Sequence, residues 1–260
     1  MAPANIDSRN LVTSAQSMLR LRSPCCLPPP PKGHLMSHYV LVPGLWLDAS
    51  SWKQVVPHLE SAGHTTAALT FPTEPGSTLQ DWISTVTDAV DTATEPSVLV
   101  GHSAGCGLTY AAVDARSEKV KHLVLIGGFP LPDGMPLLAE DFPETDGLIH
   151  LPEFSAFSEE DLAGLDDAIL EQFRNEATPV PATVLDSTLE LKNTDRHRVP
   201  TTAVCTEYSA ADLQKWTEAG FPPTTEFPKL EDLRYIDLPT GHWPQFSRPE
   251  DLAKLLLRLA

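Results

Sequence analysis

Short apolar runs alternate with amphipathic stretches along most of the chain. Tyr39-Val40-Leu41-Val42 reads as a buried strand, and Pro43-Gly44-Leu45-Trp46 breaks it. Over 51–62, apolar residues recur at helical spacing (Trp52, Val55, Val56, Leu59), and Gly63 is a natural stop. A second strand at 65–69 precedes Pro72, Pro75 and Gly76. A helix over 79–93 follows, with Trp82, Ile83, Val86 and Val90 on one face. The run Val98-Leu99-Val100 is a third strand, passing into a helix that ends near Arg116, and 122–127 is a fourth. Strand–helix alternation with short apolar strands predicts an α/β fold: a doubly wound, mostly parallel sheet.

The pattern changes at Pro130. Up to about His197 strand signals vanish and acidic residues dominate, 16 against 3 basic side chains over 133–197. Helical spacing covers 161–173 and is weaker over 184–191. This stretch reads as a cap inserted over the strand ends. Its charge is either a solvated face or an acidic rim that disfavours anionic substrates. Strand–helix alternation then resumes, with strands at 201–205 and 234–238 and helices at 212–219 and 249–259. No internal repeat is visible.

Composition narrows the possibilities. A chain of 260 residues, 42% hydrophobic, suffices for one α/β domain. The formal net charge of −17 argues against nucleic acid and anionic membrane as partners. No apolar run reaches the roughly 18 residues of a membrane span. Cys25 and Cys26 are adjacent, and Cys106 and Cys205 fall in core elements, which fits a reducing cytoplasm rather than a disulfide framework. No spacing resembles a metal site. Residues 1–35 stand apart. They carry Arg9, Arg20, Arg22 and Lys32 against the single acid Asp7, and the run Pro28-Pro29-Pro30-Pro31. They read as a disordered extension, with Met36 as the functional start; an organelle transit peptide is the alternative.

The chemistry centres on Gly101-His102-Ser103-Ala104-Gly105. A strand before it and a helix after it make Gly-x-Ser-x-Gly a nucleophile elbow, with Ser103 at a strained bend. Gly101 and Gly105 let strand and helix approach closely. A serine hydroxyl needs a base oriented by a carboxylate. His242, after the last strand, is the best base, whereas His102 reads as structural. An oxyanion hole would use the N–H groups of Ala104 and Leu45. Trp46 and Trp243 are placed to line a pocket or to serve as core aromatics.

The chain resembles the α/β-hydrolase superfamily, with serine, acid and histidine in that order. Within it, the similarity is to the plant methyl-salicylate and methyl-jasmonate esterases and the hydroxynitrile lyases. Four stretches carry this: Val42 to Trp52, His58 to His64, Gly101 to Gly105, and Val204-Cys205-Thr206-Glu207 through Trp216. The resemblance implies an α/β-hydrolase domain over 36–260, with a small helical cap (about 130–197) inserted after the sixth strand. It also departs from the family in three places. Pro43-Gly44 replaces the usual His-Gly. Trp243 stands where the hydroxynitrile lyases carry a lysine, which argues against cyanohydrin cleavage. Tyr208 holds the place of the family's catalytic acid, so the acid is open among Glu207 first, Asp212 next and Asp133 third.

The reading is a cofactor-independent serine hydrolase, a monomer or homodimer in the cytoplasm. It cleaves a small, fairly apolar carboxylic ester or lactone through an acyl-enzyme on Ser103, with His242 and Glu207. The alternatives are lyase or other non-hydrolytic chemistry on the same triad, or a ligand-binding protein with weak turnover.

Overall fold

The structure is a computed structural model that describes residues 36–259. The expected extension over 1–35 lies outside the described residues. Four apolar runs in the first half become strands: β1 (His38–Val42), β2 (Thr65–Ala68), β3 (Ser97–His102) and β4 (Val120–Ile126). Between them lie α1 (Val56–Ser61), α2 (Leu79–Asp91) and α3 (Gly105–Arg116). The helix expected over 51–62 is broken into a 3₁₀ turn, Ala49–Trp52, and α1. Pro57 explains the break: it lacks an N–H and is tolerated only in a first turn, so α1 starts just before it. Thr78 and Asp81 close a capping box at the start of α2.

The cap leaves the sheet after β4, the fourth strand in chain order and not the sixth. Among the described residues only four strands precede it. It is also only partly helical. Two-residue strands β5 (Glu144–Thr145), β6 (Leu148–Ile149) and β7 (Val180–Pro181) form a small antiparallel sheet. Such short strands present no alternation that a sequence pattern can reveal. Helix α4 runs Asp167–Glu176, later than the expected 161–173, because the Asp166 side chain caps it. Helix α5 is a single turn, Ala182–Leu185. Beyond the cap come β8 (Thr201–Cys205), α6 (Ala210–Glu218), β9 (Leu233–Asp237), α7 (Pro244–Ser247) and α8 (Pro249–Leu256).

The main sheet is six-stranded in the order β2-β1-β3-β4-β8-β9, and every neighbouring pair is parallel. Alternate residues feed two cores. Val40, Leu99 and Leu125 face the side of α2, α3 and the cap. Leu41, Val100 and Val124 face the side of α8, with Leu252 and Leu256. Burial on both faces is why these strands read as continuous apolar runs. Each such buried side chain contributes about 1.5–3 kcal/mol. Among the described residues no helix is long and apolar enough to cross a membrane.

Candidate active site

The serine sits at the end of a fully buried central strand. All six residues of β3 are buried, and only two residues separate its end from the start of α3. Between them Ser103 adopts φ 53°, the left-handed region that a serine rarely enters. Its N–H donates to the Ile126 carbonyl at 2.9 Å, and its carbonyl starts α3 by accepting from Cys106 N at 2.9 Å. The bend is thus held by β4 on one side and by the helix on the other.

The histidine arrives on the loop after β9. His242 N donates to the Asp161 carbonyl at 2.8 Å, and Gly241 N to the Ala163 carbonyl at 3.1 Å, so the cap grips this loop. His102 grips it from below. Its ring is fully buried, and Nε2 lies 2.7 Å from the His242 carbonyl. A carbonyl only accepts, so the His102 proton is on Nε2 and its Nδ1 accepts from Gln245 Nε2 at 3.3 Å. Burial, followed by the nearby His242, lowers the His102 pKa to about 3, so the ring stays neutral.

The His242 ring bridges two partners. Nδ1 is 2.8 Å from Glu207 Oε1 and Nε2 is 2.8 Å from Ser103 Oγ. A carboxylate accepts, so the proton is on Nδ1, and the free Nε2 lone pair receives the Ser103 hydroxyl. The other Glu207 oxygen accepts from the Thr206 hydroxyl. Burial opposes ionisation of Glu207, but the hydrogen bond and electrostatic attraction of the His242 ring, with the Thr206 hydroxyl, outweigh it. The carboxyl is held below its usual range.

Why Glu207 reaches the ring follows from where β8 stops. The strand ends at Cys205, and 206–208 form a bend, so the side-to-side alternation of a strand no longer applies. Tyr208 turns away and stacks with Phe129, ring centroids 5.9 Å apart. The other two candidate acids are engaged elsewhere. Asp212 Oδ2 takes the Ser209 hydroxyl at 2.6 Å at the start of α6 and Oδ1 pairs with Lys215 at 3.0 Å. Asp133 Oδ1 accepts from Leu191 N at 2.8 Å within the cap.

Gly44 lies so close to the serine that a Cβ there would fall 2.9 Å from Ser103 Cβ and 3.0 Å from His102 Nδ1. This brings the following peptide, that of Leu45, beside the nucleophile, despite Pro43 in place of histidine. Among the described residues neither the Leu45 nor the Ala104 N–H meets an acceptor. Above them lies a cavity of about 200 Å³. Trp46 and Trp243 line it, with Leu137, Leu138, Phe142 and Phe157 from the cap. Trp243 is also core: it is 3% exposed, its ring edge meets Phe157 and Phe173, and it stands across the His242 ring at 87°.

Asp161 is among the site residues that sequence reasoning missed, with Leu137, Leu138, Glu140, Phe142 and Phe157 of the cap. Its carboxylate accepts from Ser158 N at 3.0 Å, while Ser158 Oγ accepts from Asp161 N at 3.1 Å. That reciprocal turn is foreshadowed by Ser-x-x-Asp at 158–161, although nothing in the pattern ties it to His242. Asp161, Glu207 and His242 offer three potential metal-ligand atoms within 4.8 Å of one another. Filling such a site through the His242–Glu207 edge would cost the hydrogen bond between them.

Residues 39–255 match the family model described as the alpha/beta hydrolase family. The chain is 27% identical over 256 residues to Methylesterase 7 of Arabidopsis thaliana, covering 85% of this chain and 95% of that protein. Among solved structures it is similar to an extracellular α/β-hydrolase from a Paenibacillus species, described as sharing structural and functional homology with tobacco salicylic acid binding protein 2. The TM-score is 0.68 at 23% identity, over 86% of this chain and 99% of that one. A methylesterase from Arabidopsis superposes with a TM-score of 0.65 at 18% identity, over 86% and 98%. With a six-stranded parallel sheet, a serine at its strained strand-to-helix bend and a family match over most of its length, the chain belongs to the alpha/beta hydrolase family.

Proposed function

We propose that the protein is a serine hydrolase that cleaves small, fairly apolar carboxylic esters or lactones without a cofactor. The observation that carries this is the hydrogen-bonded line Ser103 Oγ, His242, Glu207, with both links 2.8 Å long. The names of its relatives, methylesterases among them, support ester hydrolysis in general.

In this reading Ser103 Oγ attacks the ester carbonyl carbon while its proton passes to His242 Nε2. Glu207 keeps the ring in the tautomer that accepts that proton and stabilises the imidazolium that forms. The carbonyl oxygen becomes an oxyanion facing the free N–H groups of Leu45 and Ala104, where two fixed donors in a water-poor pocket act strongly. The tetrahedral adduct collapses as His242 returns its proton to the departing alkoxide, and the alcohol leaves. A water molecule then gives its proton to Nε2 and attacks the acyl carbon. The second collapse restores the Ser103 hydroxyl and releases the acid.

The pocket supports the substrate class. About 200 Å³ walled by tryptophan, leucine and phenylalanine favours a compact apolar group over a long acyl chain. The acidic surface keeps nucleic acid and anionic membrane out of the reading, and the buried free thiols of Cys106 and Cys205 suit the cytoplasm. The test is turnover of p-nitrophenyl acetate against p-nitrophenyl octanoate, with a fluorophosphonate probe for the serine. The short ester is expected to be turned over faster and the probe to label Ser103. Absence of both turnover and labelling would overturn the proposal.

A further inference from the structure

A second concavity lies on the other side of Asp161 and Glu207. It is a groove of about 950 Å³ that shares those two residues with the cavity above Ser103. Its walls are Phe129, Tyr208, Trp216 and Phe221. Their rings stand at varied angles. Phe129 stacks with Tyr208 at 27°, Tyr208 and Trp216 are tilted by 58°, and Phe221 meets Phe129 at 87°. Trp216 is 37% and Phe221 45% exposed; apart from Met36 they are the exposed large apolar side chains among the described residues. Two of them in one groove mark a surface shaped for an occupant.

Charge decides which occupant. The groove lining includes the carboxylates of Glu160, Asp161, Glu207 and Asp212 and no lysine, arginine or histidine. Glu207 is held by His242 and Asp212 by Lys215. Glu160 and Asp161 have no cationic partner among the described residues, and the Asp161 carboxylate takes only the Ser158 N–H. Aromatic faces carry negative electrostatic potential, so walls and carboxylates attract the same kind of group. A neutral apolar ligand would strip water from the carboxylates without compensation. A second copy of this chain, with its own net charge of −17, would set like charges against them.

We propose that this groove binds a small organic cation with an apolar body, such as a quaternary or protonated amine. The cation rests against Trp216 and Tyr208, with Glu160 and Asp161 as its counter-charges. The site borders the reacting pocket and shares the Asp161 carboxylate with it, but Trp216, Tyr208 and Glu160 are not among the residues that line that pocket, so its occupancy is measurable whether or not Ser103 acts on esters.

The test uses the full chain and three probes of similar shape: benzyltrimethylammonium, its neutral isostere neopentylbenzene, and the anion phenylacetate. Binding is read by calorimetry and by tryptophan fluorescence. The cation is expected to bind at least about tenfold more tightly than the isostere, a difference within reach of a desolvated cation–π contact plus a carboxylate. Phenylacetate is expected to bind worst. Trp216→Ala and, separately, Phe221→Ala should each weaken cation binding severalfold with unchanged circular dichroism, Glu160→Gln should weaken it too, and Ser103→Ala should leave it unchanged. Equal binding of cation and isostere would overturn the proposal, as would indifference to both aromatic substitutions. Loss of binding in Ser103→Ala would move the ligand to the reacting pocket. Sedimentation showing a dimer that Trp216→Ala dissolves would assign the groove to a second copy instead.

Discussion

At the level of single residues, the acid is the instructive case. In the esterases this chain resembles, the carboxylate follows the Val-Cys-Thr-Glu run, and here tyrosine stands in that place. Glu207 lies one position earlier and its side chain is one methylene longer than that of aspartate. With the strand ended at Cys205, that length brings Oε1 to 2.8 Å from the ring. Glu207→Gln is expected to lower kcat at least about a hundredfold, because an amide neither fixes the tautomer nor stabilises the imidazolium. Asp212→Asn and Asp133→Asn should change it much less, since both carboxylates bond within their own elements. Ser103→Ala should cost on the order of 10⁴–10⁶ in kcat with an unchanged melting temperature. Steady-state rates on p-nitrophenyl acetate read all four. A Glu207→Gln enzyme within a few-fold of wild type would remove the carboxylate from the reaction.

Between elements, contacts distant in sequence hold the site and the scaffold. Gly241 lies against the cap so tightly that a Cβ there would collide with the Asp161 and Ala163 carbonyl oxygens. Gly241→Ala must therefore push the His242 loop off the cap. Misplacement by about 1 Å can cost about a hundredfold in rate, so kcat is expected to fall by at least tenfold while probe labelling slows in parallel. A second junction involves none of the residues that line the cavity above Ser103. Glu226 is 1% exposed, yet it accepts from Tyr110 at 2.7 Å and pairs with Arg196 at 3.2 Å and Lys229 at 2.5 Å. Arg196 also pairs with Asp114 of α3 at 3.0 Å. Burial opposes the Glu226 charge, but Lys229, Tyr110, His197 and Arg196 outweigh it and lower its pKa to about 2. A carboxyl depressed on folding stabilises the protein fully above its unfolded pKa. That contribution fades as pH falls from about 4.5 towards 2. Glu226→Gln should cost about 3 kcal/mol at neutral pH, by leaving Arg196 partly unpaired, and should flatten the acid limb of a melting-temperature profile. An unaltered acid limb would show that the acid sensitivity arises elsewhere.

These junctions also show what can be read from the chain alone. The inner strands of the main sheet, β1, β3, β4 and β8, are legible because double-sided burial writes them as runs such as Val98-Leu99-Val100. Ser103 and His242 are legible because each follows a strand at the same edge of the sheet. The acid stays open among three residues, since strand alternation cannot say whether the chain bends before or after Glu207. The Glu226 cluster is invisible, because Tyr110, Arg196 and Glu226 come from distant stretches with no local pattern joining them. The cap is misread in part for a similar reason: its two-residue strands and Asp161 acquire meaning only through what they touch.

For the molecule as a whole, the outstanding property is charge. The chain carries 35 acidic against 18 basic residues, and the cap concentrates the imbalance. Two of its carboxylates, Glu140 and Asp161, line the cavity above Ser103. A negative charge on a bound ester would lie within several ångströms of them. At about 8 Å, unit charges interact by roughly 0.5 kcal/mol in water-like surroundings and about 2 kcal/mol at a protein surface. The expected consequence is a kcat/KM about two- to thirtyfold lower for p-nitrophenyl hemisuccinate than for the uncharged butyrate, beyond any difference in their spontaneous hydrolysis. The same repulsion would help expel the carboxylate product. Charge and shape are separable here, because salt screens one and not the other. Raising ionic strength from about 0.01 to 0.3 M shortens the screening length several-fold, so the gap should narrow, and Glu140→Gln should narrow it at low salt. A gap indifferent to both would mean that the pocket rejects the succinyl group by its apolar walls, and that the acidity of the cap serves the solvated surface alone.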